Sequence, residues 1–300
     1  MMQTAAPSRS RTLEGVGWML ASGLSFVGVT GVVRHLGTDL PAAQSAFLRF
    51  ALGLIFVLPA LRSLLRDGLP TGALRLFAWR GAFHTVAVIF WFYAMARISV
   101  AEVTAIGYLN PVLVTLGAAL FFGERLAWRR MLAIAVALVG TAIVLRPGLR
   151  DLGAGHLSQL AAATFFAGSY LMVKRLSGIA GAGSIVAMMS LCVTLGLLPF
   201  ALWVWAPVTL TQIGWLALVA ACATSGHYCM TRAFRAAPLA VTQPVTFLQL
   251  IWATLLGALV FGEGVDVFVL LGGAVIIGAI SYITWRESRL KPQVAPAAMD

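Results

Sequence analysis

Charge is what this sequence has least of. Only 10% of its 300 residues are Asp, Glu, Lys or Arg, while 60% are hydrophobic and the mean hydropathy is +0.93. A soluble domain carries roughly 25% charged residues, so water cannot be the solvent for most of this surface. Lysine is nearly missing. Lys174 and Lys291 are the only two, and neither follows a GxxxxG stretch, so the sequence has no Walker-type phosphate loop and gives no basis for ATP-driven transport by this chain alone. The sequence has no HExxH, Ser/His/Asp or paired-carboxylate set, which leaves a membrane enzyme without a catalytic basis and calls for no cofactor or metal. Cys192, Cys222 and Cys229 show neither CxxC nor Cys/His ligand spacing and lie in apolar runs, where they read as small core residues.

What is present is apolar sequence spread over the whole length. A crossing helix needs about 20 such residues. Cuts at charges, Pro and Gly predict ten spans, near 15–33, 41–61, 75–95, 98–121, 129–146, 154–173, 183–204, 212–231, 237–260 and 266–285. The first follows Arg9 and Arg11 as a signal peptide would, but nine further spans with short loops favour an uncleaved helix. The net charge of +11 arises from basic residues placed singly or in pairs between spans, which suits lipid headgroups and orientation better than nucleic acid. With the N-terminus inside, fifteen Lys and Arg collect on the cytoplasmic side (among them Arg62, Arg66, Arg125, Arg175 and Arg232), against Arg34, Arg97, Arg146 and Arg150 outside. Trp18, Trp128, Trp203, Trp205, Trp215 and Trp285 fall near span ends as an interfacial belt.

The chain also repeats itself. LGAALFFGE (116–124) returns as LLGALVFGE (255–263), and VVRHLG (32–37) resembles MVKRLSG (172–178). Five spans separate Glu124 from Glu263, an odd number, so the two copies point to opposite sides of the membrane. The expected fold is therefore an all-α membrane protein of ten transmembrane helices in two inverted five-helix repeats, with both termini cytoplasmic. Residues 13–150 and 151–287 form the halves, with disordered tails at 1–12 and 288–300. Inverted repeats suit alternating access, with substrate held near the midplane between halves. Gly123 and Gly262 are placed to close the fourth helix of each half in the left-handed conformation, turning Glu124 and Glu263 into the headgroup layer.

The order and spacing of LRF (48–50), NPV (110–112) and the paired FGE endings resemble the EamA family of the drug/metabolite transporter superfamily, over residues 14–286. The likeness points most nearly to its broad aromatic and neutral amino-acid exporters. It implies two five-helix halves that export small metabolites, often amino acids, which as a multi-pass protein would sit in the inner membrane. No mid-membrane Asp or Glu relay is present, so the coupling ion stays open, a proton being one option, as does the choice between monomer and dimer. Gln249-Leu250 replaces Asn-Pro in the second half, so the symmetry is not strict. A carrier of lipophilic cations, nucleosides or sugar conjugates, and a passive channel, are the rival readings.

Polar groups buried in hydrocarbon are costly, which makes mid-span ones candidates for a cavity. They are Ser25 in span 1, His84 and Trp91 in span 3, and Thr104, Tyr108 and Pro111 in span 4. The second half adds Gln159 and Tyr170 in span 6, His227 in span 8, and Gln243, Gln249 and Trp252 in span 9. Ser and Thr can instead bond back to their own helix, and Tyr and Trp can belong to the belt. Arg49 and Glu102 are expected to pair, as a structural tie or an outer gate. With that pairing no charge is left at the midplane, which favours neutral or zwitterionic substrates. Ala133, Ala137 and Thr141, with Ala274 and Gly278, offer small faces for packing spans 5 and 10.

Overall fold

A backbone surrounded by lipid must satisfy its own hydrogen bonds, and an α-helix does so within one segment. The computed structural model describes residues 9–290 except 69–71, 123–127, 150, 177, 178 and 238, with some helical side chains also left undescribed; among the described residues its regular elements are all helices, joined by short turns. The helices are α1 (Arg9–Leu36), α2 (Ala42–Asp67), α3 (Ala73–Met95), α4 (Val100–Gly107), α5 (Asn110–Phe122) and α6 (Trp128–Leu145). Then follow α7 (Ala154–Leu176), α8 (Ala182–Trp203), α9 (Leu210–Ala236), α10 (Leu239–Phe261) and α11 (Val267–Leu290). Eight stretches are long and apolar enough to cross a membrane, one of them (Val100–Phe121) joining α4 to α5, and Leu248–Phe261 is a shorter ninth. Helix α1 starts at Arg9 and α11 runs to Leu290, so helix reaches into both expected tails.

The break between α4 and α5 follows from Pro111. Proline has no N–H and disfavours helix at the residue before it. The chain responds with a turn at Tyr108 and Leu109, whose N–H groups bond Ala105 and Ile106 carbonyls at 3.3 and 3.0 Å, before Leu113 resumes the helical pattern on Leu109.

The packing is symmetric in the halves. Helices α1 and α9 form one close pair, and α3 and α7 the other; α2 packs on α8, α6 on α11 and α4 on α10. Exchanging the halves maps each pair onto another or onto itself. Side chains follow the same rule. A Cβ on Gly31 would lie 2.5 Å from Leu256, and one on Gly117 would lie 2.5 Å from Leu171. Gly31 and Leu171 stand 140 positions apart, Gly117 and Leu256 139, so the two contacts occupy equivalent places, with both holes in the first half and both knobs in the second.

Small residues matter because lipid tails are as apolar as Leu and close backbone approach must hold the helices. For α6 against α11 the contact falls on Gly140 and Gly272: a Cβ on Gly272 would meet the Gly140 carbonyl oxygen at 2.5 Å. Ala133, Ala137 and Thr141 are buried here as expected, but Ala274 and Gly278 face outward. We expect Gly272→Ala to cost about 1–3 kcal/mol by forcing the backbones apart, and to lower the melting temperature in detergent by several degrees. Gly278→Ala, with no atom within 4 Å, should leave it unchanged. Equal melting temperatures for the two variants would refute this contact.

Candidate functional site

Residues of nine helices converge on a chamber of about 250 Å³ in the middle of the bundle. His84, Val88 and Trp91 recur at i, i+4 and i+7 on α3, and Ala223, His227 and Met230 do the same on α9. Phe26 and Thr30 face in from α1, and Gln159, Phe166 and Tyr170 from α7. Thr104, Gly107 and Tyr108 close the wall at the α4 break, where Tyr108 Oη donates to the Thr246 carbonyl at 2.9 Å.

Its chemistry is built twice. Phe26 and Phe166 are equivalent positions, 140 apart, and each meets a histidine of the other half edge-on. Phe26 lies 5.1 Å from His227, and Phe166 lies 4.9 Å from His84. The His84 side is held further by Ser169, whose Oγ is 3.2 Å from Nδ1, and by Trp91, whose ring is 5.8 Å from Phe166. Gln159 Nε2 donates to the Val103 carbonyl at 3.1 Å. Its Oε1, like Asn110 Oδ1, is buried with no partner among the described residues, so two acceptors stand beside the chamber.

At Arg49, Phe50, Met189 and His227 the chamber meets a vestibule of about 310 Å³ between α2, α8 and α9, which passes Gly53 and Gly183 and ends at Tyr228 and Arg232. This is the end of the bundle that carries Arg62, Arg66, Arg75 and Arg175. The opposite end is tied shut. Glu263 Oε1 receives Arg34 Nε at 2.9 Å, and its Oε2 receives the Val100 N–H at 3.0 Å. Arg34 also donates to the Ala96 carbonyl at 2.9 Å. Arg146 pairs with Asp266, and Gln44 bonds both polar groups of the Ala206 backbone at 2.8 Å.

Of the candidates, His84, Trp91, Thr104, Tyr108, Gln159, Tyr170, His227 and Gln249 line the chamber. Ser25 does not: its Oγ bonds back to the Ala21 carbonyl at 2.8 Å. Pro111 and Trp252 are exposed on the outside of the bundle, Pro111 acting through the helix break and Asn110 lining the chamber beside it. The Gln243 side chain and the first FGE ending (Gly123, Glu124) lie outside the described residues. In the second ending Gly262 does adopt φ +64°, but Glu263 turns inward to Arg34 rather than to headgroups.

The Arg49–Glu102 pair is not formed. Glu102 sits three residues after Ser99 in a capping box at the start of α4, and its other oxygen lies 3.3 Å from His156 Nε2 on α7. Arg49 instead stacks its guanidinium 3.9 Å from the Phe50 ring and lines both chamber and vestibule. The midplane therefore does hold a charge, contrary to the expectation of a neutral cavity. Phe26, Phe50, Phe166 and Asn110 join the lining beyond the expected set; the equivalence of positions 26 and 166 is the sequence signal for the first and third.

A helical bundle around a central chamber, with the Arg34–Glu263 and Arg146–Asp266 pairs across one end, is consistent with a membrane carrier, and the comparisons give the class. The model of the EamA-like transporter family matches residues 13–146 and again 153–285, and the chain belongs to that family. A riboflavin transporter of Rhizobium johnstonii is 31% identical over 96% of this chain and 97% of its own. A pseudopaline exporter of Pseudomonas aeruginosa is 25% identical over 89% and 94%, and an S-adenosylmethionine uptake transporter of Rickettsia bellii is 25% identical over 92% and 94%. One solved structure superposes on 94% of this chain and 99% of its own with a TM-score of 0.57 at 19% identity, a likeness of fold alone. The chain is a multi-pass membrane transporter, consistent with the inner membrane.

Proposed function

We propose that this transporter is a secondary carrier that moves small metabolites joining a flat ring to hydrogen-bonding groups, by alternating access. The observation that carries this reading is the chamber between the halves, with a His–Phe pair from each diagonal and buried amide acceptors beside it. Ring walls favour edge or stacked contact with an aromatic substrate, while a few placed polar groups fix its orientation. Riboflavin and S-adenosylmethionine, named for two of the relatives, both join a heterocycle to a polar chain. This moves the expectation away from amino acids in general: no lining residue described is Asp or Glu, so an ammonium group finds no counter-ion.

In this reading α4 and α5 make one broken crossing, and α7 and α10 bring the crossings to ten. The arginine-rich end faces the cytoplasm, so the conformation is open inward with its outer end latched. Exchange of the halves generates the opposite state. Counterflow tests it. Proteoliposomes preloaded with unlabelled riboflavin should take up labelled riboflavin several-fold faster than liposomes without it. A rate indifferent to internal substrate would identify a channel. No transport of riboflavin, nicotinate or indole-3-acetate would overturn the ring-bearing substrate class.

A further inference from the structure

Arg49 is the group in the chamber that the transport reading leaves unused. A guanidinium at mid-helix is expensive to hold among membrane helices, and such charges ordinarily pair with an acid or a backbone carbonyl. Arg80, the other mid-span arginine, follows that rule: it is buried and donates to the Ile185 carbonyl at 2.7 Å and to Met189 Sδ at 3.2 Å. Arg49 does not follow it. Among the described residues its guanidinium makes no ion pair or hydrogen bond, and its neighbour is the face of Phe50. The acid that could have neutralised it, Glu102, is engaged by Ser99 and His156 at the closed end.

Stacking on a ring occupies the face of a guanidinium and leaves its N–H edge available, and that edge matches the two oxygens of a carboxylate or phosphate. Arg49 sits where vestibule meets chamber, so a substrate arriving from the arginine-rich end passes it before its ring reaches Trp91 and Phe166. Among the described lining residues no acid competes for the site. We infer that the transported metabolite carries an anionic group, a carboxylate or phosphate monoester, and that Arg49 is the specificity-determining residue that binds it. This rests on the ring-bearing substrate class proposed above and adds the charge.

The test uses purified full-length protein and matched probes: riboflavin against riboflavin 5′-phosphate, indole-3-acetamide against indole-3-acetate, and nicotinamide against nicotinate. Affinities are read from ligand-induced thermal stabilisation in wild type, Arg49→Gln, Arg49→Lys and Arg97→Gln, the last removing an equal charge at the exposed far end. The anionic member of at least one pair should bind ten-fold or more tightly than its neutral partner in wild type and in Arg97→Gln. That ratio should fall to near one in Arg49→Gln and to an intermediate value in Arg49→Lys. Neutral and anionic members binding alike in wild type would overturn the inference while leaving the ring-bearing class standing. A preference that survives in Arg49→Gln, or in Arg49→Lys at full strength should the Gln variant not fold, would overturn the assignment to Arg49. Binding by no member of any pair would overturn the ring-bearing class, and the inference with it.

Discussion

Replacing Glu263 by Gln should unlatch the closed end of the transporter. One carboxylate there joins three elements: the end of α10 that carries it, the end of α1 through Arg34, and the turn before α4 through the Val100 N–H. Arg34 extends the tie to the end of α3 through the Ala96 carbonyl. An amide has the shape of the carboxylate but not its charge, so Arg34 loses its acid while remaining three-quarters buried. Hydrogen bonds to charged groups are worth about 1.5–3 kcal/mol, and 1.4 kcal/mol is a factor of ten in an equilibrium. The population open at this end should thus rise about 10- to 100-fold. The measurement is labelling of a single cysteine at Val103, on the chamber wall, in a variant lacking the three native cysteines, by an impermeant maleimide applied at that end. Unchanged labelling of a folded variant would mean that Glu263 is not the latch.

The second large effect is expected at His84. The residue is buried, its Nδ1 is bonded to Ser169, and its ring touches Phe166 at 4.9 Å and Phe50 at 6.1 Å. His84→Ala removes the ring wall, opens a void and strands the Ser169 hydroxyl. Voids of this kind cost several kcal/mol when the surroundings cannot collapse, so transport should drop roughly ten-fold or more. Two further variants divide the cause. His84→Phe keeps a ring without the hydrogen bond, and His84→Asn keeps a polar partner without the ring. If the wall is what substrate feels, the Phe variant should transport better than the Asn variant in counterflow at matched membrane abundance. Transport by His84→Ala within two-fold of wild type would remove His84 from the site.

Much of the chamber is legible in the amino-acid sequence. Polar groups are not placed in hydrocarbon without reason, and eight of the residues that this cost singles out do line it. The failures have physical explanations. Ser25 faces the alternative every helical serine has, its own i−4 carbonyl, and that alternative prevails. Trp252 and Pro111 lie at chamber depth but on outward faces, and depth carries no information about azimuth. Similar depth and a shared need for a partner suggest a tie between Arg49 and Glu102. The stretch Ser99-Val100-Ala101-Glu102 carries the opposing signal: it spells a capping box, which assigns Glu102 to its own helix start.

Sequence alone determined the solvent, the helical class, the doubled unit and the end of the bundle where arginine gathers. Each of these follows from composition or periodicity, which one strand of text contains. The rest was decided by tertiary structure. Which helices meet across the two halves placed Phe26 on His227 and Phe166 on His84, set Glu263 against Arg34 rather than headgroups, and left Arg49 facing the chamber with no acid beside it among the described residues. Those outcomes depend on contacts between residues up to 229 positions apart. Local propensity cannot see such partners; only the packing that brings them together selects among them.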